Sequence, residues 1–186
     1  MDIPWDDERT RKMATCVGLI TSKGKNGDNI MAAEWTFHIS YAPSLFAVSI
    51  GKGKATAGNI KETGKFGISI CAEDQSIISS IAGGSRGKNV DKIAVLKSMG
   101  VKFSRGKKTG VLLVENSAMT AECKLVKTVQ TGDHTLFIGE VVEISGSSKE
   151  PIIYHGGKYF KLGEGLQKPD EDTLNKINKH VKKHTR

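Results

Sequence analysis

The chain has 186 residues, 38% hydrophobic and 26% charged, which suits one folded domain with a real core and excludes a disordered or fibrous protein. No apolar run reaches the roughly 18 residues a membrane helix needs, and the acidic start MDIPWDDERTRK does not read as a secretory signal, so a cytoplasmic protein without a membrane partner is expected. The formal charge of +8 suits an anionic partner, but aromatic residues are only 6% and are not grouped beside the basic clusters, which argues against nucleic acid.

Along the chain, β-like runs alternate with Gly, Asn, Asp and Ser clusters. The first predicted strand covers 15–21 (TCVGLIT), and the turn-rich SKGKNGDN of 22–29 follows it. Strands are next predicted over 30–36 and 45–50. A short helix over 56–63 has Thr56 as its N-cap and Gly64 just past its end. A strand over 66–71 precedes a helix over 74–82, capped by Asp74 and stopped at Gly83-Gly84. Asp91 opens another helix that runs to Met99.

Strands over 111–114, 118–129 and 135–145 come next, the last with apolar and polar residues alternating from Phe137 to Val141. Brief strands over 152–154 and 158–162 close the series. From Asp172 onward, Leu174, Ile177 and Val181 recur at spacings of three and four, which predicts an amphipathic helix with a basic far end. Strands outnumber helices, and few are separated by a helical crossover. The expected class is therefore mainly β, an antiparallel barrel or sandwich over 1–165 with a helical appendage over 166–186.

Cys16, Cys71 and Cys123 are far apart and odd in number, so neither a disulfide framework nor a cysteine-rich zinc site is expected. GKGKAT at 51–56 lacks the third glycine of a dinucleotide loop. GGSRGKN at 83–89 and RGKKTG at 105–110 lack the spacing of a P-loop. His180 and His184 share a helix face without a third ligand, and no metal site is assigned. No nucleophile elbow surrounds Ser49.

One phosphate-sized feature remains. Ser49-Ile50-Gly51 ends a buried strand, and Lys52, Lys54 and Thr56 follow directly before a helix. Such a turn aims backbone N–H groups and the positive end of a helix dipole at one point, where Lys54 and Thr56 would add charge and a hydroxyl. An ordinary capped helix with two exposed lysines explains the same residues equally well.

Beyond this, NIMAAEWT at 29–36, SYAP at 40–43, the strand to Gly51 and TAGNIKETGKF at 56–66 occur in an order that resembles the flavin reductase-like, FMN-binding split-barrel family. The likeness is greatest to its flavoredoxin-like branch. GDH at 132–134, FIGEV at 137–141 and YFKLG at 159–163 agree with it. The resemblance implies a six-stranded antiparallel Greek-key split barrel, a homodimer, and FMN as cofactor with NADH or NADPH as a possible electron donor. It further implies that Ala33, Glu34, Trp35 and Thr36 meet the isoalloxazine, largely through backbone groups. Ser49, Ile50, Gly51, Lys54, Ala55 and Thr56 would take the phosphate, while Asn29 fixes the preceding loop. Val90-Asp91-Lys92 resembles an element of that branch and makes Lys92 a second basic contact.

Glu34 departs from the hydroxyl residue many relatives carry, and an anion facing the ring would oppose its reduction, so Glu34 is expected to point away or be paired. His134 is the implied catalytic residue, orienting a nicotinamide or moving a proton; a plain Asp133-His134 turn is the other reading. The expected activity is electron transfer from NAD(P)H or a protein donor to a flavin, ferric or protein acceptor. A non-enzymatic FMN electron carrier and a basic barrel binding single-stranded nucleic acid are the alternatives.

Overall fold

Two residues, Glu34 and Trp35, decide how the main sheet closes. The computed structural model describes residues 1–4, 7–25 and 27–185. Its elements begin with β1 (Ala14–Cys16), β2 (Gly18–Gly24), β3 (Gly27–Ala33), β4 (Thr36–Tyr41), β5 (Ser44–Gly51), α1 (Ala55–Thr63), β6 (Lys65–Ile70), α2 (Ser76–Gly84) and α3 (Lys92–Ser98). They continue with β7 (Phe103–Arg105), β8 (Leu112–Val114), β9 (Met119–Thr131), β10 (His134–Gly146), β11 (Ile153–His155), β12 (Lys158–Phe160) and α4 (Glu171–Lys183).

The main sheet has the order β3-β2-β6-β9-β10-β5-β4, and its neighbours are antiparallel throughout. In a flat sheet of this order β3 and β4 would be nearly 30 Å apart, at about 4.8 Å per step. Two linking residues reach no more than about 11 Å. The sheet must therefore curl to bring the ends of its two edge strands together, and the Ser49 amide donates to the Trp35 carbonyl at 3.0 Å, extending the β4–β5 ladder into the corner. Thr36 locks the corner. Its hydroxyl donates to the Ala33 carbonyl at 3.0 Å, and it packs where a Cβ on Gly18 would collide with it.

The mainly β class is as expected, with seven strands in the main sheet instead of six. The difference arises at 30–36, where a run with no glycine or proline to mark a turn is in fact the end of β3, a two-residue corner and the start of β4. The run 15–21 is similarly divided at Val17 into β1 and β2. The turn-rich 22–29 is mostly strand, with Ser22 paired to Asn29 and Lys23 to Asp28; Asn26 lies outside the described residues.

β2 is buried on both faces, which is why TCVGLIT shows no simple alternation. Ile20 joins Phe46, Val48, Ile50, Ile60, Phe66, Ile68 and Phe137 inside the barrel. Leu19 joins Ile30, Ile78, Ala82, Ile93 and Leu96 beneath α2 and α3. In β10, Gly139 leaves room for the Phe66 ring. Asp91 caps α3 as expected, accepting from the Ala94 amide at 2.9 Å. Asp74 does not cap α2; Gln75 holds that place, and Asp74 pairs with Lys149. α4 begins one residue early, with Asp170 accepting from the Thr173 amide. Leu174, Ile177 and Val181 are exposed along it.

The RGKKTG loop surrounds an internal anion. Glu122, 2% exposed, accepts from the Lys108 and Thr109 amides and from the Thr109 hydroxyl at 2.7 Å. Burial pushes its pKa up, and these hydrogen bonds outweigh burial to hold the carboxyl below its ordinary 4.5. The folded pKa is depressed, so the stabilisation is present above the unfolded value and is lost as pH falls through the folded one. Glu122→Ala leaves part-buried amides without their carboxylate partner and should cost about 2 kcal/mol in urea unfolding at pH 7. The gap between variant and wild type should narrow as the pH drops below about 4.

Candidate anion cradle and ring face

At the end of β5, Ile50 points into the barrel core and Gly51 comes out beside His134, its partner in register. A Cβ on Gly51 would lie 3.4 Å from His134 Nε2. The chain then turns through Gly53, whose φ of 79° favours glycine, to Lys54 at the N-cap of α1. The expected hydroxyl cap is corrected here. Lys54, not Thr56, holds the N-cap, it is extended, and no side chain caps the helix. Lysine carries only donors, so it cannot satisfy the first N–H groups of the helix.

Thr56 is instead buried inside α1, where its hydroxyl accepts from Asn29 Nδ2 at 2.7 Å. That bond occupies an oxygen lone pair and leaves the hydroxyl proton to donate elsewhere. Lys92 is also buried, and its ammonium donates to the Ala82 and Ser85 carbonyls at 2.6 and 3.3 Å. Burial, then the charge of Lys54, lowers its pKa to about 8.

This cluster therefore offers donors: uncapped helix amides, the Thr56 hydroxyl and the Lys54 ammonium, with the Lys92 ammonium behind them committed to the Ala82 and Ser85 carbonyls. No described side chain supplies an acceptor to those amides. Chemistry of this kind fits a phosphate, whose oxygens are all acceptors.

Beside the cradle, Trp35 is 44% exposed and its ring centroid lies 4.9 Å from that of His134. His134 Nδ1 is 2.8 Å from Asp133 Oδ1. A carboxylate only accepts, so Nδ1 carries the proton and Nε2 is left facing Gly51. The hydrogen bond and charge of His134 hold the Asp133 carboxyl below its usual range. The Lys52 amide donates to the Asp133 carbonyl at 3.1 Å, tying the His134 turn to the cradle turn.

The structure thus brings Asn29, Lys54, Thr56 and Lys92 together, and sets Trp35, Ser49, Gly51 and His134 next to them. The side chains of Ala33, Thr36 and Ile50 belong to the barrel interior or its seam, so only their backbone faces outward. Ala55 is the first residue of α1 and offers its amide. Glu34 lies close enough to the small sheet of β1, β11 and β12 for its charge to act on Tyr154. Burial first, and then the Glu34 charge, push up the pKa of Tyr154 on β11.

Sequence reasoning missed Gly87, whose backbone seats against Asn29 so closely that a Cβ there would collide with Asn29 Oδ1. The local sequence SRGKN contains no sign of that contact. A groove of about 550 Å³ lies elsewhere, lined by residues including Arg105, Glu122 and Glu143. Among the described residues, no helix is long and apolar enough to cross a membrane.

Residues 10–163 match the family model described as flavin reductase like domain. A ferric-chelate reductase (NAD(P)H) of Archaeoglobus fulgidus is 31% identical over 141 residues, covering 74% of this chain and 79% of its own. An NADH-dependent flavin reductase of a Rhodococcus species is 28% identical over 144 residues, covering 76% of each. Among solved structures, the flavin reductase PheA2 in its native state superimposes with a TM-score of 0.74 at 30% identity. That match covers 88% of this chain and 100% of the other.

Thiol chemistry has no place at this site. Burial, aided by neighbouring carboxylates, pushes Cys71 and Cys123 up to about 12, and burial also raises Cys16. In a thiol titration at pH 8, Cys71 and Cys123 should stay silent in the native protein, whereas all three cysteines should react in denaturant.

Proposed function

The chain belongs to the flavin reductase like domain family and is an oxidoreductase of flavin reductase type, and from that premise we propose that it binds FMN, with the phosphate in the Lys54–Thr56 cradle and the isoalloxazine beside Trp35. The observation that carries this is the cradle's composition: helix-terminal amides that no described side chain caps, beside a buried Thr56 hydroxyl whose proton is free to donate. When bound, FMN would supply the redox chemistry, taking two electrons as hydride from NADH or NADPH and passing them to a free flavin, a ferric complex or a protein acceptor.

The chain's own residues bind and orient. The α1 amides and Lys54 hold the phosphate charge, and Asn29 aims the Thr56 proton at it. Trp35 walls one side of the ring. His134, kept in one tautomer by Asp133, presents Nε2 at the rim, where it can position a nicotinamide or hold a proton. Glu34, close to Tyr154, keeps its negative charge off the ring face. The domain so defined spans 1–165, with 166–186 as an appendage, and the reading carries a cytoplasmic location with it.

A homodimer belongs to the same proposal. Trp35 at the corner, and Phe37, Ile39 and Tyr41 along β4, an edge strand with a bulge between His38 and Ser40, are 44%, 45%, 48% and 90% exposed. Large apolar side chains exposed together along an edge strand are a liability unless a partner covers them. Ile39→Glu should shift the protein to monomer in sedimentation velocity, while a wild type that is itself monomeric at micromolar concentration would contradict the assignment.

The binding reading is tested by flavin titration. Lys54→Ala and Thr56→Val should each weaken FMN about tenfold or more while changing riboflavin little, since charge-assisted contacts are worth roughly 1.5–3 kcal/mol. Equal weakening of both ligands would remove the cradle assignment. Anaerobic mixing of the FMN complex with NADH or NADPH should bleach the flavin; indifference to both would favour an electron carrier without a nicotinamide substrate.

A further inference from the structure

We propose that Lys92 is a positioning residue for the phosphate cradle: its ammonium clasps the 85–91 loop so that Gly87 presses on Asn29, and its charge state sets how tightly a flavin phosphate is held. The inference rests on the cradle reading above and adds a control to it.

The loop leaves α2 at Ser85 and returns at Asp91. Lys92, at its far end, reaches back to the Ala82 and Ser85 carbonyls at its near end, at 2.6 and 3.3 Å. Between them the Asn89 and Val90 amides both donate to the Arg86 carbonyl, at 2.9 and 3.1 Å, and fold the loop into a tight turn. Gly87 sits within that turn, against Asn29, and Asn29 in turn holds Thr56 at 2.7 Å. The clasp is thus four contacts removed from the hydroxyl that faces the phosphate. A side chain at position 87 would force either the loop or the Asn29 side chain to shift, and Asn29 is tied to Thr56.

Lys92 is 4% exposed, and its hydrogen-bond partners are carbonyls instead of a carboxylate, an uncommon setting for a buried cation. The charged groups around it are few. Lys54 approaches from the N-cap of α1. Arg86 and Lys88 stand on the loop, and the Asp91 carboxylate is occupied by the Ala94 amide. α2 carries no titratable side chain. The one such residue on β3, Asp28, pairs with Arg105 at 2.7 Å. An anion in the cradle would be the counter-charge Lys92 lacks. Below pH 8, Lys92 is cationic before and after binding. Above it, binding must recapture a proton, so affinity falls, by at most tenfold per pH unit.

Flavin affinity is read by fluorescence quenching between pH 7 and 9.5. Wild-type protein should bind FMN about tenfold more weakly at pH 9.5 than at pH 7.5, with riboflavin changing less than twofold. Lys92→Met should lose about tenfold in FMN affinity at pH 7.5, spare riboflavin, and lack the alkaline step. Lys92→Arg, which stays charged, should keep the affinity and also lack the step. Gly87→Ala should lose FMN preference with Lys92 intact, and it decides the matter if the Lys92 variants do not fold. A Lys92→Met or Lys92→Arg protein that retains the alkaline step, or a Gly87→Ala protein with unchanged preference, overturns the inference. A wild type that never prefers FMN to riboflavin instead defeats the cradle reading beneath it.

Discussion

The short corner at Glu34–Trp35 is the constraint from which the rest follows. It joins strands that lie at opposite ends of the sheet order, and a chain that short can do so only if the sheet rolls up. Rolling brings Asn29 from one edge strand within reach of Thr56, on the helix that follows β5. It also places the corner residue Trp35 over His134, which sits on the strand paired with β5. Residues separated by up to a hundred positions become neighbours at one rim because two residues cannot span a flat sheet.

That rim divides its labour by side-chain type. Apolar side chains such as Ile50 and Ala33 face inward and fix the backbone, so the groups left outside are amides, carbonyls and a few polar tips. Asn29 and Thr56 are buried and hydrogen-bonded to one another, which fixes their orientation before any ligand arrives. Preorganised donors need little rearrangement to receive an anion, and that is what separates a binding site from a merely basic surface. The RGKKTG loop applies the same chemistry internally, with the Glu122 carboxylate as the anion its amides enclose.

Much of the fold was legible in the sequence because β periodicity and turn residues mark it directly. The strand, glycine turn and short helix at 45–64 are an example, and Gly64, with φ of 67°, ends α1 as its position suggested. The barrel corner was not legible. No glycine or proline interrupts 30–36, and nothing local records that the hydrogen-bonding partner changes from β2 to β5. Thr56 illustrates a finer limit. A hydroxyl near a helix start looks like a cap, and its actual role depends on Asn29, 27 positions earlier. Glu122 falls inside a predicted strand, and only the loop that wraps it explains why a carboxylate is buried there.

The claim on which all of this rests is that the cradle grips a flavin by its phosphate. Phosphorus NMR of FMN titrated with the protein tests it without reference to turnover. The phosphate resonance should shift and broaden on binding, and should recover as excess inorganic phosphate competes for the same donors. A flavin whose absorbance changes on binding while its phosphorus signal remains that of the free molecule would contradict the account.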